Sequence, residues 1–310
     1  MSTHHSRRRF LGLGLGSAAT WAMLRPLQAS AANPPALPTL QSLRGGLVMV
    51  SGAGGNIVAG RDAKGLVLID GGTAQDGPQA LRSLQRTLGT STVHTLLNTH
   101  WHHDHTGLNE PLGRAGCRII AHENTRLWLS TDVRPTPDAP PIRRLPVKAR
   151  PNDTTYTGGA LALGDDTLRY GYLPQAHTDG DLYVKFERAN VLVTGGVVHG
   201  AGWPTADWVT GGWITGTANG YKALIALCDD DTQIVTAHAA TPWTKAQLVA
   251  EQAVIANLAD QLTRMLRKGF GPADVLAAAP AKDHEARLGD ATEFLTESVK
   301  SLWPRMAPDA

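Results

Sequence analysis

The 310-residue chain has two cysteines, Cys117 and Cys228, and no apolar run long enough to cross a bilayer as a helix. Its best candidate, Leu11 to Leu24, is fourteen residues long and rich in glycine, whereas a spanning helix needs about 20. No basic tract fit for phosphates is present, so nucleic acid is not an expected partner. Neither cysteine lies in a motif that supports a Cys-His nucleophile. The two are read as buried free thiols. No short repeat occurs, which excludes solenoid architectures.

The small formal charge of +2 belongs to the N-terminus. Ser6, Arg7, Arg8, Phe10 and Leu11 stand in twin-arginine register, followed by the weakly hydrophobic stretch and by Ala29, Ser30 and Ala31, a small-x-small cleavage site. Residues 1–31 are therefore expected to be a twin-arginine signal peptide. Their removal takes four arginines and no acids, leaving 25 basic against 27 acidic residues. The expected location is the periplasm, with the twin-arginine export machinery as a transient partner and no membrane insertion after cleavage. Because that route moves folded proteins, a metal site could be filled before crossing, and the periplasm need not choose the metal.

Residues 32–310 read as one domain behind a proline-stiffened leader, 32–43. Strands are expected at 46–50, 56–60, 65–70, 93–100, 117–122, 166–173, 181–187, 190–196 and 232–238, where β-branched and aliphatic residues cluster between turn signals. Helices are expected at 78–88, 123–130, 219–228, 244–268 and 290–302; Pro78 and Gly89 mark the two ends of the first. Residues 132–159 and 198–217 read as long loops. Arg134, Arg143, Arg144, Lys148 and Arg150 then form a solvated face of the first loop. Periodicity alone leaves the fold at α/β or α+β.

"NTHWHHDHTG" (98–107) places four of the chain's twelve histidines within six positions. His100 and His102 are two apart, so in extended backbone their imidazoles point the same way. Asp104 and His105 can be aimed at a neighbouring point once the chain turns at Thr106 and Gly107. A catalytic zinc readily takes three protein ligands and a water, so further ligands must come from elsewhere. His177 and His238 each close a strand, where a sheet scaffold presents functional residues. His103 reads as pointing away. His94 and His284 read as ordinary surface or packing histidines, while His122 and His199 each follow a strand that ends near the cluster.

The H-x-H-x-D-H motif with single histidines at two later strand ends resembles the metallo-β-lactamase superfamily, as do "GGNIVAG", "GLVLIDGG" and "AHTDGDLYV". The likeness covers about residues 44 to 303. It implies an α+β fold, an αββα sandwich of two mixed β-sheets between helical layers, and a zinc-dependent hydrolase. His100, His102 and His177 would hold a first zinc, and Asp104, His105 and His238 a second. Asp70 would fix the histidine loop. Metal-bound hydroxide would attack the carbonyl of an amide or ester, such as a β-lactam-type ring, with Asp104 orienting the nucleophile and shuttling a proton.

One position departs from the family. Many relatives carry "TGD" after a strand, and that aspartate bridges the metals; this chain reads "VLVTGGVVHG", with Gly196 there. Its ligand set matches the lactamase subclass whose second zinc is held by Asp-His-His alone. Without the carboxylate the two-zinc site keeps about +2 rather than about +1. It should attract an anionic small-molecule substrate and hold its second metal less firmly. The alternatives are a glyoxalase-like thioesterase or lactonase and an iron-dependent sulfur dioxygenase, all disfavoured by Gly196, and a non-catalytic periplasmic metal- or ligand-binding protein. Trp203, Trp208 and Trp213, in the loop after Gly196, and His199 are candidates for the substrate pocket.

Overall fold

Alternation along the strands decides which side chains enter the centre of the molecule. The computed structural model describes residues 38–135 and 139–306, so the expected signal peptide lies outside the described residues. The first sheet takes its strands in chain order: β1 (Thr39–Ser42), β2 (Val48–Ser51), β3 (Ile57–Asp62) and β4 (Gly65–Ile69). After helix α1 (Gly77–Leu88) it continues with β5 (Val93–Leu97), then, past α2 (Asn109–Arg114), β6 (Arg118–His122), and, past α3 (Glu123–Leu129), β7 (Asp153–Thr155). Pairing is antiparallel from β1 to β4 and parallel from β4 to β7.

The second sheet holds β8 (Gly158–Leu163), β9 (Asp166–Leu173), β10 (Asp181–Phe186) and β11 (Val191–Val193) as an antiparallel run. Helix α4 (Ile214–Ala226) then crosses back to β12 (Gln233–Val235), which pairs parallel with β11. Helices α5 (Lys245–Arg267), α6 (Pro272–Ala278), α7 (Glu285–Leu288) and α8 (Thr292–Met306) complete the described chain.

In the first sheet Met49, Val58, Val67, Ile69, Leu97 and Ile120 point inward. There they meet Leu168, Leu182, Val184, Phe186, Val191, Val193 and Val235 of the second. The intervening residues Val48, Val50, Leu66, Leu68 and Leu96 point outward onto Ala80 and Leu84 of α1. On the far side, Leu192 and Ile234 pack against Tyr221 and Leu224 of α4 and Leu248 of α5. A period of two thus feeds both faces of each sheet with apolar residues, and the αββα sandwich follows. Helix ends follow local chemistry as well. Pro78 sits in the first turn of α1 and Gly89 closes it at φ 65°, while Thr244 and Gln247 form a capping box on α5.

Three sequence expectations need correction. Thr39–Ser42, assigned to the leader, form the edge strand β1 against β2. The 132–159 loop contains β7, the start of β8 and a bridge between Val133 and Ile142. Helix α4 begins at Ile214, inside the expected second loop. The missed pieces are short: a strand of three residues carries too few alternations to register, and α2 and α6 span fewer than two turns. Among the described residues no helix is long and apolar enough to cross a membrane.

Cys117 and Cys228 are free and buried in different core clusters, Cys117 just before β6 and Cys228 just after α4. Burial pushes the Cys117 thiol up to about 11 and raises Cys228 too, so both stay protonated and shielded near neutral pH. A thiol-reactive chromophore at pH 8 should label neither in the native protein and both in denaturant. Rapid native labelling would contradict this packing.

Candidate metal centre

The site forms where strands of both sheets end. Asp70 follows β4, the histidine loop follows β5, His177 follows β9, Gly196 follows β11 and His238 follows β12. Asp70 is 1% exposed and holds a left-handed φ of 62°. Its Oδ1 accepts the Thr99 backbone N–H at 2.7 Å, and its Oδ2 accepts the Thr99 hydroxyl at 2.7 Å and His105 Nδ1–H at 2.8 Å. The Thr99 hydroxyl, having given its proton to Asp70, accepts from Nδ1–H of His100 at 3.0 Å. Backbone bonds from Gly71 to His105 and from Gly107 to Gly72 lock the two loops together.

Six side chains converge in two groups. The ligand atoms of His100, His102 and His177 lie within 4.8 Å of one another, as do those of Asp104, His105 and His238. The His100 and His105 rings, 4.4 Å apart, join the groups. In every imidazole the nitrogen turned away from the cluster is engaged. For His100 the partner is Thr99; for His102, Asp207 Oδ2 at 3.0 Å; for His177, the Thr205 carbonyl at 2.7 Å. For His105 it is Asp70, and for His238 the Gly54 carbonyl at 3.3 Å. Each contact places the proton on the remote nitrogen and leaves the inner lone pair bare.

The donor set fits metals. His177 Nε2 and His102 Nδ1 face each other at 2.9 Å, and with their protons directed elsewhere the two lone pairs repel unless a cation is shared between them. Protonation is a poor answer. Burial, then the charge of His102, pulls His177 down to about 3. Burial and the neighbouring histidines hold His100 well below its ordinary value, and His238 shifts the same way. His105 is opposed by burial, yet Asp70 outweighs it and raises the ring. Burial likewise works to raise Asp104, but His105, His102 and His238 outweigh it and hold the carboxyl ionised. Three nitrogens on one side, and one oxygen with two nitrogens on the other, form two candidate metal-binding triads with ligand types that suit zinc.

Gly196 lies against the first triad. A Cβ there would stand 2.3 Å from His177 Cδ2, 2.7 Å from its Nε2 and 2.9 Å from His100 Cε1. The position that carries a carboxylate in many relatives has no room for a side chain in this arrangement.

Two residues that the sequence reading missed hold the ligands in place. Asp207 fixes His102, and its backbone N–H bonds the His177 carbonyl at 2.8 Å. It is backed by the Thr210 hydroxyl at 2.6 Å, which in turn accepts Trp101 Nε1 at 3.1 Å. Asn56 bonds the Thr236, Ala237 and Ala239 carbonyls and so fixes the turn that carries His238. Beforehand Asp207 stood only as a position in the second expected loop and Asn56 only as the first residue of an expected strand.

The pocket candidates separate. The His199 ring lies 4.5 Å from the His238 ring, tilted by 41°. Trp203 corrects the pocket expectation: it is 8% exposed, stacks on Phe294 and donates to the Gly289 carbonyl, because the loop dives into the helical core. Trp213 caps α4 under Arg305, and Trp208 sits on the surface beneath Lys300. His103 is exposed, His94 pairs with Asp62, and His122 caps α3 and stacks on Tyr172.

Residues 52–238 match the model of the metallo-beta-lactamase superfamily. The chain belongs to that superfamily. Its fold is similar to a metallo-beta-lactamase from Pontibacter korlensis, with 18% identity, a TM-score of 0.54, and coverage of 71% of this chain and 93% of the other. It is also similar to the inverting sec-alkylsulfatase Pisa1 from Pseudomonas sp., with 15% identity and a TM-score of 0.63. That likeness covers 88% of this chain and 51% of the sulfatase. A third is a metallo-beta-lactamase from Erythrobacter litoralis, with 15% identity, a TM-score of 0.53, and coverage of 72% and 97%. No curated protein sequence matches the chain. Members of this superfamily are metal-dependent hydrolases, and this chain is one by descent and by its two triads.

Two outcomes follow. Asp207→Asn keeps the shape but loses the charge that orients His102, so affinity for the tighter metal should fall about 10- to 100-fold in a chelator competition; unchanged affinity would refute that role. Gly196→Asp should displace His177 and His100 and lower metal content by elemental analysis, whereas a tighter second metal would show that the carboxylate can be accommodated.

Proposed function

We propose that the protein is a periplasmic zinc hydrolase acting on the carbonyl of an amide or ester, with an anionic small molecule as substrate. The observation that carries the reading is the engagement of all five remote imidazole nitrogens, which prepares six ligands for two ions without rearrangement. His100, His102 and His177 would hold the first and Asp104, His105 and His238 the second. Bound zinc supplies Lewis acidity, which polarises a carbonyl oxygen and makes water acidic enough to lose a proton near neutral pH.

The chain's own groups do the rest. Asp104 Oδ2 lies 3.7 Å from His105 Nε2 and 3.6 Å from His238 Nε2, and its side chain is 27% exposed. It is an ionised carboxylate at the open side of the cluster, able to orient an attacking water and carry its proton to the leaving group. His105 and His100, each 1% exposed, exclude solvent from behind. The twin-arginine register at residues 6–11 supports export of the folded, loaded protein.

The purified, zinc-loaded mature chain should hydrolyse a chromogenic cephalosporin, and His102→Ala or a chelator should abolish turnover. If the protein binds metal but leaves the cephalosporin intact, the β-lactam reading fails and thioesters and lactones become the substrates to test.

A further inference from the structure

We infer that His199 is a hydrogen-bond donor to an oxyanion of the substrate beside the second triad and not a seventh metal ligand; the inference rests on the metal-hydrolase reading above. The segment after Gly196 turns back along the strand end that carries His238. Ala237 N–H bonds the Val198 carbonyl and His238 N–H bonds the His199 carbonyl, each at 2.9 Å. Gly200, at φ 85°, lets the chain leave this contact: a Cβ there would lie 2.0 Å from Thr236 Oγ1. The His199 ring is thereby held 4.5 Å from the His238 ring at a tilt of 41°.

The tautomer settles what the ring can do. The Ala201 backbone N–H points at His199 Nδ1, 3.3 Å away. Nδ1 is therefore the acceptor, and the ring proton resides on Nε2. In the five triad histidines the engaged nitrogen carries the proton and the free one is bare. In His199 the order is reversed, so the nitrogen left over is an N–H and offers no lone pair to a metal. Its ligand atoms accordingly fall outside the Asp104, His105 and His238 group.

Space and charge favour an anion. The open side is formed by His238 and Asp104, each about a quarter exposed, and Gly202 leaves room beside the His199 ring, since a Cβ there would stay 3.8 Å from Cε1. Two zinc ions held with the single carboxylate of Asp104 would leave the site strongly positive. A fixed N–H at its edge complements a carboxylate, phosphate or sulfate oxygen and gives it a preferred orientation.

The test uses the zinc-loaded chain with inorganic phosphate as probe, measured by calorimetry alongside metal content by elemental analysis. His199→Ala should retain the wild-type number of zinc ions and bind phosphate about tenfold more weakly. His199→Gln, whose amide N–H reaches the place of Nε2–H, should recover to within about threefold. Loss of one zinc equivalent in His199→Ala would make the residue a ligand and overturn the inference. Unchanged phosphate affinity with full metal would reduce it to packing, and a loaded wild type that binds no phosphate would overturn it as well. A wild type that binds no metal would instead sink the metal-hydrolase reading itself.

Discussion

The buried carboxylate of Asp70 is the contact on which the two triads depend. It takes three donors, one backbone, one hydroxyl and one imidazole, so its charge is compensated although water is excluded. Through His105 it reaches the second triad, and through the Thr99 hydroxyl it reaches His100 of the first. The carbonyl of the same Thr99 accepts Leu182 N–H from β10 at 2.7 Å. The clamp therefore also ties the first sheet to the second where His177 arrives. A left-handed backbone at a non-glycine residue is costly, and here it aims the carboxylate back over the end of β5. Removing one partner would leave a buried charge or a buried donor unmet, a loss of about 1–3 kcal/mol for each neutral group and more for the charge.

Much of this was legible in the chain. The aliphatic alternation of "GLVLID" and "VHTLL" announces strands packed on both faces, and Asp70 and His100 stand where those runs stop. Four ligand-type residues in six positions need no tertiary information to suggest a metal. His177 and His238 are legible for the same reason as Asp70, since each closes an apolar run. Asp207 and Asn56 were not, because their roles depend on partners 105 and 180 residues away. A polar residue in a loop, or at the first position of a strand, has no periodicity to betray what it faces.

The tryptophans show the converse error. Trp203 is large, lies in a loop near the site in sequence and could wall a pocket. The chain from Gly202 turns under α8, however, where Phe294 and the Gly289 carbonyl satisfy both ring and N–H. Burial of a large aromatic surface outweighs proximity along the chain. The glycine at 196 was read as a lost ligand, and the structure adds its steric reason. The rings of His177 and His100 occupy the space that a side chain would need.

The two triads are not held alike. In the first, His100 and His177 are at most 4% exposed, the His102 side chain is 23% exposed, and each remote nitrogen has a partner within 3.0 Å. In the second, His105 is as rigid, but His238 and Asp104 are about a quarter exposed and His238 has only a 3.3 Å contact to a backbone carbonyl. Preorganised ligands lose little freedom when an ion binds, whereas mobile ones must be ordered at that moment. The first triad is accordingly the better prepared of the two candidate sites, and Gly196, packed under the His177 and His100 rings, brings no carboxylate to either. The same exposure leaves Asp104 and His238 open to solvent, with the His199 ring 4.5 Å from that of His238. Rigidity behind the cluster and access in front of it arise from one arrangement: loops anchored at Asp70 on one side and a turn hinged at Gly200 on the other.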